Sequence, residues 1–257
     1  MKIINQDLST DFDRVVVLVF SDAHYGDAMQ DKKRVREFIN EVKRNKNYYV
    51  VLNGDLINNA TRNSVSDIYL EEMNPNQAID KLVETLEPIK DKILVATEGN
   101  HEERTYRKDG ILLTDRATKE LGINDIYTSG AYLLYLSFGR NQGRDCRQTV
   151  YSIYGKHGSG GGRTVGGKLN KVDRMKGIIN ADIFIHSHTH LPAAFRKATK
   201  VVDYRNRKVS EKEMLFVNSN AFLGYGGYGE KKGYDVPSTV YPKIILDGYE
   251  RFARALI

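Results

Sequence analysis

Three apolar runs most constrain what this chain can become: RVVVLVF (14–20), NYYVVLN (47–53) and KILVATEGN (92–100). Their hearts do not alternate polar with apolar positions. Each therefore reads as a strand buried on both faces, as in a parallel sheet covered by helices. The segments between them show helical spacing. Val35, Phe38, Ile39 and Val42 recur at that interval in KRVREFINEVKRN, as do Ile79, Leu82, Val83 and Leu86 in NPNQAIDKLVETLEPIK. The second helix opens on Asn74 as N-cap, with Pro75 in the first helical position. ILLTDRATKELG predicts a shorter helix closed by Gly122.

From about residue 131 the pattern changes. AYLLYLSF, QTVYSIYG, DIFIHS, AFRKATKVVDY and KEMLFVNS predict strands, with one helix among them, GKLNKVDRMKGIIN (167–180). A βαβα half running into a strand-rich half predicts an α/β architecture with two packed sheets. No repeat and no Pro/Ser-rich linker marks a boundary, so residues 1–257 read as a single domain.

The predicted strands end alike. Ser21-Asp22-Ala23-His24 follows the first, Gly54-Asp55 the second, and Gly99-Asn100-His101-Glu102 the third. His157-Gly158 follows VYSIYGK, and Ser187-His188-Thr189-His190 follows DIFIH. Ligands of α/β sheets bind beyond the carboxyl ends of strands, so these side chains can converge. Aspartate, asparagine and histidine without thiolate favour Mn, Fe, Zn or similar ions. The set is too large for one ion and suits two sharing a carboxylate, with ions roughly 3.5–4 Å apart in such centres.

His186, His188 and His190 pose a separate question. If the strand runs on from Ile183-Phe184-Ile185, alternate residues share a face. A three-histidine site, a working pair beside a packed third ring, and a chance cluster all fit that spacing.

Asp-x-His, Gly-Asp, Gly-Asn-His-Glu, a lone His and His-x-His, in that order over residues 22–190, resemble the calcineurin-like metallophosphoesterase superfamily. Any one of these motifs is weak and the ordered set is specific. The resemblance implies a four-layer sandwich of two packed mixed β-sheets flanked by helices. It implies a phosphoester hydrolase with two divalent ions, Mn first and Fe, Zn or Ni as alternatives. Asp22, His24 and His190 would hold one ion; Asn100, His157 and His188 would hold the other; Asp55 would bridge them. His101 would act on the substrate phosphate, stabilising charge or protonating the leaving oxygen, with Glu102 behind it orienting the imidazole. The nucleophile would be a metal-bound hydroxide. The His-x-His motif takes His188 and His190 and leaves His186 as a packed histidine. Two positions depart from the pattern. Ser187 stands where glycine is usual, at a cost if the backbone there needs positive φ. Asn58 stands three residues after Asp55, where relatives often have an acid, and no role is assigned to it.

Weaker signals surround this set. HGSGGGRTVGGKLNK (157–171) reads either as a phosphate-meeting loop, with Arg163 or Lys168 as contacts, or as a plain connection. Lys168, Lys171 and Arg174 would share a helix face, which a solvated surface explains without a nucleic-acid track. Arg104 and Arg107 follow the His101 motif, so Arg104 is a candidate substrate contact. FLGYGGYGEKKGY (222–234) is a base-stacking loop or an ordinary surface loop. FRKATKVVDYRNRKVSEKEMLF predicts a charged hairpin turning near Asn206, either a dimer edge or an exposed pair.

A net charge of +6 and a pI near 9.1 lean towards a nucleotide or nucleic-acid phosphodiester as substrate. A phosphomonoesterase or protein-phosphatase-like enzyme, a non-catalytic binding scaffold, and a nucleic-acid binder with structural metal are the alternatives. The single cysteine, Cys146, excludes an intrachain disulfide framework and a Cys-rich zinc module. The N-terminus lacks a signal-peptide pattern and no apolar run is long enough to span a bilayer, so a cytoplasmic protein without membrane contact is expected. Oligomeric state is not legible.

Overall fold

A computed structural model describes residues 1–62, 64, 68–141 and 147–257; Cys146 lies outside them. The chain opens with β1 (Lys2–Asp7), β2 (Arg14–Phe20), α1 (Lys32–Arg44), β3 (Tyr48–Asn53), α2 (Pro75–Leu86) and β4 (Ile93–Thr97). There follow α3 (Asn100–Asp109), α4 (Leu113–Glu120), β5 (Tyr127–Thr128), β6 (Tyr132–Phe138), β7 (Thr149–Lys156), α5 (Val165–Asp173) and β8 (Ile183–His186). The last elements are β9 (Ala193–Asp203), β10 (Lys208–Asn218), α6 (Gly227–Lys231), β11 (Lys243–Asp247) and β12 (Ala253–Leu256).

Among the described residues the strands form two six-stranded mixed sheets, ordered β12-β11-β2-β3-β4-β5 and β1-β6-β7-β8-β10-β9. In the first sheet β2 to β5 run parallel; at one edge β11 pairs antiparallel with β2, and β12 antiparallel with β11. In the second, β7, β8 and β10 run parallel, as do β1 and β6. The parallel strands thus deliver their carboxyl ends, and the polar residues that follow them, to common edges of the sheets.

Two apolar layers and helical covers hold the sheets. Tyr132, Leu134, Leu136 and Phe138 of β6 alternate inward and share one core with β2, β3, β4 and β8. On the first sheet, α1 packs through Phe38, Ile39 and Val42, and Phe38 lies 5.2 Å from Phe20 ring to ring. On the second, Val172 and Met175 cover Leu133, Tyr154, Phe184 and Phe216. Each fully buried side chain of this kind contributes roughly 1.5–3 kcal/mol. The result is helix, sheet, sheet, helix, the α/β sandwich expected from the motifs. Among the described residues, no helix is long and apolar enough to cross a membrane.

Local expectations hold with adjustments. Asn74 caps α2 in a reciprocal box with Gln77. The helix expected over 167–180 is α5, which ends at Asp173 and tightens into a 3-10 turn, Arg174–Gly177. The charged hairpin is β9 and β10, turned by Asp203 accepting from the Arg205 and Asn206 amides. Six of the described elements had no sequence expectation: β1, α3, β5, α6, β11 and β12. Of these, β1 buries only Ile4, and α3 buries only Glu102.

Candidate metal centre

The loops after β2 and β3 are laced together by backbone. Asp22 N donates to Gly54 O (3.0 Å), His24 N to Asp55 O (3.1 Å), and Asn58 N to Tyr25 O (2.9 Å). These loops and the loop after β8 share an unusual backbone conformation. Asp22, His24, Asp55, His188 and His190 have φ of 51°, 46°, 50°, 67° and 54°. Left-handed backbone in non-glycine residues costs on the order of 1–3 kcal/mol each and clusters at functional sites. Five of the seven expected metal ligands carry that strain. In return their side chains turn back towards one point.

Gly54 explains how the third loop joins. Its φ is +82°, and a Cβ there would stand 2.7 Å from Gly99 Cα. The two glycines therefore meet at backbone distance. That approach lets His101 N donate to Asp55 Oδ1 (2.8 Å).

Among the described residues, three groups of side chains present ligand atoms within 4.8 Å of one another: Asp22, His24 and His190; His24, Asp55 and His101; Asp55, His157 and His188. Asp55 Oδ2 is central, 3.0 Å from His157 Nε2, 3.8 Å from His101 Nε2 and 4.0 Å from His188 Nδ1. Asn100 Oδ1 joins it, 3.2 Å from His157 Nε2. His190 Nε2 stands 3.0 Å from Asp22 Oδ1.

The donor pattern fits divalent cations. His157 Nδ1 faces only the Asn53 carbonyl, at 2.7 Å, so it carries the proton there. Its Nε2 then meets Asp55 Oδ2 and Asn100 Oδ1, acceptors both. Such a convergence needs a proton or a cation in its midst. Without a metal the proton wins: burial opposes it, but the Asp55 carboxylate holds His157 protonated up to about 10. Burial pushes the Asp22 carboxyl up, yet the neighbouring His190 imidazole brings it to about 2, and His157 acts likewise on Asp55. His24 Nε2 and His188 Nδ1 are buried with no hydrogen-bond partner. Burial lowers His24, and it lowers His188 to about 4, so both rings offer bare nitrogens. Neutral imidazole and ionised carboxylate are what hard and borderline divalent ions take.

A family model described as calcineurin-like phosphoesterase matches residues 15–192, well over half of the chain. The chain belongs to that family. No curated protein matches the chain in sequence. Among solved structures, a conserved uncharacterized protein of Streptococcus pneumoniae, described as a predicted phosphoesterase, shares 14% identity. That alignment covers 95% of this chain and 97% of the other, with a TM-score of 0.40. A single-mutant Vps29 from Entamoeba histolytica shares 13% identity over 91% of this chain and 87% of its own, with a TM-score of 0.44.

For a calcineurin-like phosphoesterase, the remaining expected residues fall into three groups. His186 is apart from the clusters. It is buried, and its Nδ1 faces Asn218 Oδ1 at 2.9 Å. Asn218 Nδ2 in turn donates to Thr189 Oγ1 (2.8 Å) and Leu191 O (2.5 Å). His186 thus braces the loop that carries His188 and His190. Ser187 does not adopt positive φ; the left-handed residue is His188. The Ser187 hydroxyl accepts from Asn53 (2.6 Å) and Ser219 (2.9 Å), so the anticipated backbone cost does not arise.

Glu102 does not orient His101. Its buried carboxylate accepts from the amides of Asp55 (3.1 Å), Ile57 (2.9 Å) and Gly99 (2.9 Å), tying the two motif loops together. Burial and the Asp55 charge push it up to about 8. The contact on His101 is the Asn58 carbonyl, 2.6 Å from Nδ1.

Of the basic candidates, Arg104 is beside the site and donates to the Asn58 and Asn59 carbonyls (3.3 and 3.4 Å). Arg107 pairs with Glu103 on the exposed face of α3. Arg163 is exposed, Lys168 lies 3.6 Å from Asp235, and Lys171 donates to Ser159 O. The 222–234 segment begins in the core, where Phe222 packs on Phe20 and its amide donates to Asp22 O. Sequence reasoning missed Asn218 and Glu71. Asn218 obeys the same rule as the ligands, a polar residue closing an apolar strand. Glu71 sits in no pattern.

Proposed function

We propose that this chain hydrolyses phosphoesters with two divalent ions, and that its substrates are phosphodiesters of nucleotide or nucleic-acid type. The observation that carries the reading is the position of Asp55: its carboxylate clusters with His157 and His188 on one side and with His24 on the other, and His24 in turn clusters with Asp22 and His190. Asp22, His24 and His190 would hold one ion, Asn100, His157 and His188 the other, with Asp55 between. Bound there, manganese or a similar ion would supply Lewis acidity and water activation.

The chain's own groups do the rest. His101 donates through Nδ1 to a carbonyl, which leaves Nε2 free towards the Asp55 side. In the free chain, burial holds this ring neutral, down to about 3. An anionic phosphoester against Nε2 favours the protonated ring, which then has a proton to give to the leaving oxygen. Arg104, half-buried beside His101, adds positive charge on the same side. The net charge of +6 suits a polyanionic substrate.

Turnover of a chromogenic phosphodiester beside its monoester tests this. Metal-stripped protein reloaded with Mn²⁺ should cleave the diester faster, and Asp55→Asn should fall to background. Metal-loaded wild-type protein that cleaves neither ester would overturn the enzymatic reading. A preference for the monoester would overturn the substrate class alone.

A further inference from the structure

Asn58, which sequence reasoning left without a role, touches both histidines on one side of the centre. It is 4% exposed. Its side-chain Oδ1 faces His24 Nδ1 at 3.1 Å, and its backbone carbonyl faces His101 Nδ1 at 2.6 Å. An amide can point either way, and the choice decides which nitrogen of His24 bears the proton.

Glu71 makes that choice. Its Oε1 accepts from Asn58 Nδ2 at 2.6 Å and from Ala60 N at 2.9 Å. A carboxylate has no proton to give, so the NH₂ end of Asn58 must face Glu71 and the oxygen end must face His24. His24 must then donate from Nδ1. That leaves Nε2 bare, and Nε2 is the buried nitrogen that has no partner in the chain. The carboxylate is itself held. Glu71 bridges to Asp27 in strand fashion, and Glu72 N donates to Gly26 O. A Cβ on Gly26 would stand 2.6 Å from Glu71 Oε2, so the glycine between His24 and Asp27 makes room for the acid.

We propose that Glu71 is a positioning residue of the metal centre. Acting through Asn58, it fixes His24 as the tautomer with a free Nε2, and it steadies the Asn58 carbonyl that orients His101. This inference rests on the metal-centre reading above. An outer partner of a liganding histidine is commonly worth 10–100-fold in metal affinity.

The test reads His24 directly. Histidine ¹⁵N shifts of the metal-free protein report which ring nitrogen is protonated, and calorimetric titration with Zn²⁺ reports affinity. Wild-type His24 should carry its proton on Nδ1. Glu71→Ala should show mixed tautomers and bind its weaker ion about 10–100-fold less tightly. Glu71→Gln, anchored by Ala60 N with its oxygen towards Asn58, should restore most of both. If Glu71→Ala does not fold, Glu71→Met supplies similar bulk without an acceptor. A wild-type His24 protonated on Nε2 would overturn the proposal. So would a Glu71→Ala protein with unchanged tautomer and affinity, or Glu71→Gln as impaired as Glu71→Ala. If wild-type protein takes up no Zn²⁺, the metal reading fails by itself, and the tautomers still decide the relay.

Discussion

Gly99 meets Asp55 at backbone distance: a Cβ on Gly99 would overlap the Asp55 amide and stand 2.9 Å from its Cα. This closeness seats Asp55 Oδ1 on the His101 amide. Gly99→Ala should therefore cost about 1–3 kcal/mol, the usual range for overpacking, and lower the metal content. Gly166→Ala in α5 meets nothing within 4 Å and is the control. It should raise stability by roughly 0.5–1 kcal/mol. Thermal melts with metal analysis read both.

His186 and His188 are two residues apart and should behave oppositely. His186→Ala leaves Asn218 Oδ1 without its donor, a loss of about 1–3 kcal/mol. Its metal stoichiometry should stay that of the wild type. His188→Ala removes a bare ligand nitrogen and should lose metal with little loss of stability. Parallel denaturation curves and metal counts distinguish the two roles.

Ser187→Gly should destabilise. The hydroxyl links Asn53 to Ser219, and Ser219 to Ser21 in turn, all buried. Glycine would strand these partners and gain no relief of strain, because φ at 187 is not positive. A cost of about 1–2 kcal/mol in chemical denaturation is expected. A stabilised variant would contradict the account.

Much of the fold was legible because burial on both faces writes itself as uninterrupted β-branched runs. RVVVLVF became β2, residue for residue. The ligand set was legible because each motif follows such a run. Two of the elements that escaped had no apolar pattern to show, whereas β11 escaped although Ile244 and Leu246 alternate inward. The helix NHEERTYRKD buries a single carboxylate, and KIINQD pairs with β6 while burying only Ile4. Glu102 and Glu71 were misread or missed for one reason. Their partners are backbone amides and an asparagine brought near by loop conformation, which leaves no periodic trace in sequence.

Asp182 gives the fold an acid-sensitive joint outside the centre. Burial raises its carboxyl, but the Ser152 amide (2.9 Å) and Arg251 outweigh that and hold it below the ordinary value. A depressed folded pKa means stability that is full above the unfolded value of about 3.9 and is lost as pH falls through the folded one. Asp182→Asn should cost about 1–3 kcal/mol at pH 7. The gap to wild type should close below about pH 4. Urea midpoints across pH 3–7 would show a constant gap if the idea is wrong.

The central claim is that Asp55 joins two ions. Elemental analysis of metal bound per chain, after stripping and reloading with Mn²⁺, tests it most directly when wild type is set beside Asp55→Asn. Two ions in the wild type and at most one in a folded Asp55→Asn protein is the predicted result. One ion in the wild type, or two retained without the Asp55 carboxylate, would contradict a bridged pair.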